Sequence, residues 1–363
     1  MNKCFITKLP SSVDNDNLPV LGQLRIIWPK QSNLTDNASR AIMLSTIDNI
    51  TVKVSGAHLT DSTLTSNLGN TKTITNGDGL VTLYVSNDAD GVLTIDNKYS
   101  LKQLIFVLGG KEFVERAEYF DIEDIKYCTN LIELRAGKMP IYGDISAVSN
   151  LTNLKALQLF STQVNGDISA VSNLTNLKAL QLFSTQVNGD ISAVSKLTNL
   201  DTLSINYTQI SGDISAVSEL TKLIILSLND TQVSGKIDSL ANLTKLSNLA
   251  GLRGLSLTGD MSKIPAGVNL IFQDDRKVTT DFTWTANGRK NATLLAISGN
   301  VPFDTASMDN MLVDQATCTV SPNATQPYHK IIAVKGTRTS ASDAAVTAIQ
   351  NMGVTITGVT KQA

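Results

Sequence analysis

Side chains able to carry chemistry are few and scattered in this chain of 363 residues. There are two histidines, His58 and His329, and three cysteines, Cys4, Cys128 and Cys318. Neither histidine has a Cys, His or acidic cluster beside it in sequence, so the spacing of a zinc site is missing. Three thiols this far apart imply no disulfide framework. Asp274 and Asp275, with Asp281 close by, come nearest to an acid cluster, but charged loops of that kind are ordinarily just solvated. No G-x-S-x-G, no H-E-x-x-H and no phosphate loop is present. The sequence therefore predicts no catalytic residue, no metal, no cofactor and no enzymatic activity.

What recurs at fixed spacing is of another kind. Asp144, Asp167, Asp190 and Asp213 stand 23 residues apart, each followed by Ile-Ser-Ala-Val-Ser. A carboxylate there can accept backbone N–H bonds from a short helical turn. Alternatively, a column of carboxylates ~5 Å apart would repel itself and call for calcium. Calcium wants six to eight oxygens, each copy offers one carboxylate, and Lys236 interrupts the series. Capping is the favoured reading. Phe160 and Phe183 recur at the same period, flanked by Gln158 and Gln181, with Asn206 and Asn229 in the matching places further on. Amides around an aromatic pair suit recognition rather than catalysis.

The elements that must position these residues follow from the repeat. Asp144–Gly166 and Asp167–Gly189 are identical, Asp190–Gly212 and Asp213–Gly235 keep the period, and Asp121–Gly143 is a divergent first copy. Lys236 onward continues irregularly around Leu246–Leu252. Each copy reads L-x-x-L-x-L-x-x-T-x-V, as in Leu154, Leu157, Leu159, Thr162 and Val164. Strand alternation turns Leu157 and Leu159 inward and Ala156, Gln158 and Phe160 outward. One coil cannot bury its apolar side alone, but stacked copies bury a continuous core. Cys128 aligns with Leu151 and reads as core filler. The pattern resembles the leucine-rich repeat, with Thr where that repeat has Asn or Cys.

That resemblance covers about 140 residues and implies an α/β solenoid with parallel strands. Solenoids usually work through the curved strand face, so the candidate ligand-binding residues are Gln158, Phe160, Gln181, Phe183, Asn206, Tyr207 and Asn229. Tyr207 aligns with Ser161 and Ser184, one place beyond the strand-face positions. The expected partner is a protein or a surface glycan.

Flanks differ in pattern. Residues 1–97 read as an antiparallel β domain, with strands at Leu21–Trp28, Ile50–Ser55, Leu80–Ser86 and Gly91–Asn97, suited to anchoring or an assembly contact. Residues 98–262 hold the solenoid, with an edge strand at Leu104–Leu108 before it. Residues 263–363 read as a small α/β cap on the open solenoid end. Its strands are Leu294–Gly299, Cys318–Val320, Lys330–Gly336 and Val354–Thr357, and its helices are Asp304–Ala316 and Ser342–Met352. Asp304 and Ser342 suit N-caps.

Composition narrows the function classes. Charged residues make up 17% and the net charge is −2, against roughly 25% charged residues in ordinary domains. No basic block offers a footprint for nucleic acid, and no apolar run approaches the ~18 residues of a membrane span. The first eight residues have a lysine but no apolar run after it, so no signal peptide is expected. The repeat phrasing resembles leucine-rich repeat proteins of bacterial surfaces and of the phages that infect such bacteria. This resemblance implies a displayed binding module. A virion accessory protein (fibre or decoration) is the first expectation and a bacterial cell-surface adhesin the alternative.

Overall fold

A computed structural model describes residues 24–28, 40–55, 58–60, 68–75, 78–79, 81–86, 91–108, 120–139, 141–250, 254–268, 282–289, 292, 294–320 and 331–362. Cys4, Asp274, Asp275, Asp281, His329 and the leading eight residues lie outside these.

Each copy of the repeat forms one coil of a solenoid. Ile145, Val148, Leu151, Leu154, Leu157, Leu159 and Val164 are fully buried, and the same columns are buried in the following copies. Every full coil carries two strands and a short 3-10 turn, for example Ala156–Gln158, Gln163–Asp167 and Ile168–Val171. The first strands stack in register, Leu157 beside Leu180 and Leu180 beside Leu203. The second strands stack with a stagger, so Asn165 lies beside Gln186 and Asn188 beside Gln209. Two parallel sheets thus contribute to one apolar core.

Neighbouring coils are also stitched by side chains. The Asn153, Asn176 and Asn199 amides donate to the Thr129, Thr152 and Thr175 carbonyls at 2.8–2.9 Å. Thr162, Thr185, Thr208 and Thr231 donate to the carbonyl three residues back at 2.6–2.8 Å. A threonine hydroxyl therefore serves where the leucine-rich repeat uses Asn or Cys. Cys128 is fully buried and its thiol is pushed up to about 12 by burial, which fits a core filler. The irregular last copy runs one residue longer, with Gly259 rather than residue 258 beginning the next Gly-Asp step.

The strand expected at an edge, Leu104–Leu108, is longer and interior. Leu101–Leu108 pairs parallel with Glu133–Arg135 and antiparallel with Arg40–Thr46. Through it the first solenoid sheet runs on into Val81–Ser86 and His58–Thr60, ten strands among the described residues. A second antiparallel sheet of Leu24–Trp28, Gly91–Asp96, Ile50–Ser55 and Thr71–Ile74 accompanies it. Leu24, Ile26, Val52, Leu93 and Ile95 supply its buried side chains.

At the other end a three-stranded parallel sheet forms from Ile297–Pro302, Ile331–Arg338 and Thr355–Lys361. Helices α1 (Thr305–Gln315) and α2 (Asp343–Asn351) cross between these strands. Asp304 caps α1, its Oδ1 accepting from Ser307 N at 2.8 Å. Ser342 does not cap α2; its hydroxyl donates to Asp309 Oδ1 at 2.6 Å instead. Cys318–Val320 is not a strand either. Cys318 N–H and thiol turn back to the Gln315 and Asp314 carbonyls at the end of α1, leaving only Thr319 bridged to Ala292 and Leu294.

The seam between solenoid and cap is polar and buried. The Arg289 guanidinium, 2% exposed, donates to the carbonyls of Ile264, Pro265 and Val268 at 2.6–2.9 Å, and more distantly to Ala266. Asp314, 1% exposed, accepts from Trp284 Nε1, Asn287 N and Arg289 N at 2.9–3.2 Å. Asp260 accepts from Ser262 and Thr285. Burial pushes its carboxyl up, but these bonds hold it below the ordinary value.

Candidate functional site

The strand face gathers most of the residues that the sequence singled out. Gln158 and Gln181 are lateral partners across Ala156–Gln158 and Ala179–Gln181, both half-buried on the outward side. Two residues on, the Phe160 and Phe183 rings stack with centroids 4.6 Å apart and planes 9° from parallel. Such a pair contributes roughly 0.5–1.5 kcal/mol beyond its burial. Phe160 also lies over Gly137, the matching residue of the coil before, where any Cβ would collide with the ring. Both flanks of Phe160 are therefore covered, by Phe183 on one side and Gly137 on the other.

Asn206 and Asn229 continue this column, half-buried. Their carbonyls accept from Ser184 N at 2.9 Å and Tyr207 N at 2.8 Å, which prolongs the ladder beyond the strands. Tyr207 stands apart from the column. Ser161, Ser184, Tyr207 and Asp230 all take a left-handed backbone, φ 51–57°. That corner swings the side chain off the strand face, and Tyr207 is 49% exposed there. Seven predicted residues thus fall into two neighbouring columns plus one corner. Ser204 and Ser227, the counterparts of Gln158 and Gln181 in later coils, are buried.

Two members of the face were not singled out in the sequence. Gly137 seats the aromatic stack, and Arg135 pairs with Glu133 at 3.1 Å on the first coil. Both are readable only once Asp121–Gly143 is aligned with the later copies.

The aspartates act as caps. Asp144, Asp167, Asp190 and Asp213 accept from the backbone N–H two residues on at 2.7–2.8 Å. Those bonds hold the Asp167 and Asp213 carboxyls below their ordinary range. The aspartates are not lateral partners of one another, because the stagger sets Asp144 beside Asn165 and Asp167 beside Asn188. Among the described residues no group of three His, Cys, Asp or Glu could hold a metal ion. Nor does any helix reach the length and apolarity needed to cross a membrane.

No protein-family model matches the sequence, and no curated protein does. Solved structures do match. One is PEPR1–AtPEP1, at 16% identity and TM-score 0.50, covering 72% of this chain and 35% of that one. Two internalins of Listeria monocytogenes match with lower scores. Internalin C2 has 25% identity and TM-score 0.37 over 55% of this chain and 87% of its own. The internalin inlF has 20% identity and TM-score 0.39 over 72% and 82%. This chain spans about a third of the length of the first of these structures. Repeat spacing, parallel sheets and this likeness agree: the fold is a leucine-rich repeat solenoid with an antiparallel β region before it and a small α/β region after it.

Proposed function

We propose that the chain is a non-enzymatic module that presents the strand face of its solenoid to a protein partner. The half-buried Phe160–Phe183 stack, framed by Gln158, Gln181 and Asn206, carries this reading. Interfaces concentrate energy in aromatic anchors ringed by polar groups. A sugar ring stacks on an aromatic face, whereas Phe160 has its flanks covered by Phe183 and Gly137 and offers edges. Edges suit aliphatic side chains and carbonyl oxygens of a protein. The PEPR1–AtPEP1 structure shows a like fold used in a complex.

The test is a random-peptide display library panned against the immobilised chain. Selected peptides should lose at least tenfold affinity for a Phe160→Ala/Phe183→Ala variant and keep it for Lys196→Ala, away from the face. Equal affinity for the double variant sinks the strand face as the site.

As setting for this module we propose a virion accessory protein, with a bacterial surface adhesin as second reading. Low charge and a Thr/Ser/Asn-rich composition support display outside a cell. Mass spectrometry of gradient-purified virions against washed cell envelopes decides between them. Recovery in envelopes alone ends the virion reading.

A further inference from the structure

The second solenoid sheet carries an outward face of its own. Along Gln163–Asp167 the Val164 side chain is buried, while Gln163, Asn165 and Asp167 are exposed. The next coil repeats this with Gln186, Asn188 and Asp190, and the one after exposes Gln209 and Asp213 with Ser211 half-buried between them. Because of the stagger, residues that touch across strands differ in type. Asp144, Asn165 and Gln186 form one row, Asp167, Asn188 and Gln209 the next, and Asp190, Ser211 and Gln232 a third. Each row sets one carboxylate and two neutral groups at intervals of ~4.8 Å.

Copies within the chain allow an internal comparison. Some outward positions drift between coils, Asn150 and Asn173 becoming Lys196 and Glu219, and Lys155 and Lys178 becoming Asp201 and Ile224, while the exposed columns Ser146, Ser169, Ser192, Ser215 and Thr152, Thr175, Thr198, Thr221 are kept. Gln163, Gln186, Gln209 and Gln232 do not drift, although all four are exposed. The aspartates are held by their capping role and the glycines by backbone conformation. Among the described residues no hydrogen bond holds the side chains of these four glutamines, and an amide is both donor and acceptor.

We propose that this face is a second binding surface, for a neutral polysaccharide lying along the rows and so across the strands. Hydroxyl groups are donors and acceptors without charge. A carboxylate beside two amides or hydroxyls meets them with acceptor and donor in turn. A hexose residue spans about 5 Å, close to the ~4.8 Å strand interval, so successive sugars meet successive coils. Tyr142 stands beside Gln163 at the first-coil end of the face, half-buried, and offers the apolar side of a ring there. This surface belongs to a different sheet from the Phe160–Phe183 face and needs none of its residues.

Affinity gel electrophoresis of the whole chain tests it, with mannan, xylan, hydroxyethylcellulose and dextran each cast in the gel. At least one of these should retard the chain. The variant Gln163→Ala/Gln186→Ala/Gln209→Ala/Gln232→Ala should lose at least tenfold of that affinity with its thermal melt unchanged. Phe160→Ala/Phe183→Ala should be retarded like the parent, which separates this surface from the strand face. Absence of retardation by all four, or equal retardation of the quadruple variant, overturns the proposal. So does a quadruple variant that loses a protein partner and no polysaccharide.

Discussion

At the scale of single residues, the Gly-Asp step governs the second sheet. Gly166 adopts φ +95°, and a Cβ there would also run into the Asp144 carboxylate of the coil before. Gly166→Ala should thus cost more than the ~1–2 kcal/mol of a left-handed L-residue. Adding Asp144→Ala removes the collision as well as a cap. Urea melts of both singles and the double should show a double variant less destabilised than the sum of the singles. Additive losses would mean that backbone conformation alone demands glycine. Both glycine and aspartate stood out in the sequence, but the reason for their partnership did not, because it lies between coils.

The same caps set a pH dependence. Asp167 and Asp213 have carboxyls held below the ordinary value by Ser169 and Ser215. Depressed acids stabilise the fold fully above the unfolded value of about 3.9 and lose that contribution as pH falls through the folded value. Melting temperatures of Asp167→Ala/Asp213→Ala and parent should therefore converge as the pH drops from 5 towards 2. A gap that stays constant would remove the carboxylates as its source.

At the scale of elements, the coil is the unit. Removing residues 167–189 rejoins Gly166 to Asp190, the same Gly-Asp junction as before. Each sheet then loses one strand and Phe160 faces Asn206. The shortened chain should still melt cooperatively, as shown by circular dichroism, while peptides selected on the strand face bind at least tenfold more weakly. Collapse of the fold on deletion would contradict a coil that contacts only its neighbours. The period made these coils legible, since the apolar columns fix which side faces in. The flanks were less so. Arg40–Thr46 and Thr71–Ile74 passed unnoticed because their partners are distant in sequence, and Cys318–Val320 looked like a strand because β-branched residues cannot announce that a helix end will claim their backbone. Likewise the two-residue stagger of the second sheet leaves no trace in a strict 23-residue period.

At the scale of the whole molecule, both flanks are grafted onto the solenoid by different means. Before it, Leu101–Leu108 makes one sheet of two regions. After it, Phe282–Thr283 adds to the second sheet, Phe282 bridges to Phe303, and Arg289 gathers the carbonyls of residues 264–268. Burial lowers the Arg289 guanidinium to about 10, and these carbonyls compensate the charge. Arg289→Met keeps the volume and strands the acceptors, each at roughly 1–3 kcal/mol before water returns. Urea unfolding followed through buried Trp284 should shift by at least about 2 kcal/mol; a shift within 0.5 kcal/mol, the range of ordinary surface changes, would relieve Arg289 of that role. Low charge also takes its place at this scale. The four regular coils hold 11 charged residues in 92, against 51 in the other 271. In register, the first sheet sets like side chains side by side, where equal charges repel.

The way the coils are joined also decides how the molecule answers to pulling. Hydrogen bonds between strands run along the solenoid axis, so tension between its two ends bears directly on them, one coil boundary after another. The covalent chain meanwhile winds around that axis. A coil that opens releases 23 residues, roughly 75 Å of extended backbone in place of ~5 Å of stacked length. Near-identical coils yield at similar loads, so the arm would lengthen in even steps and absorb a tug, instead of passing it undiminished to whatever each end holds.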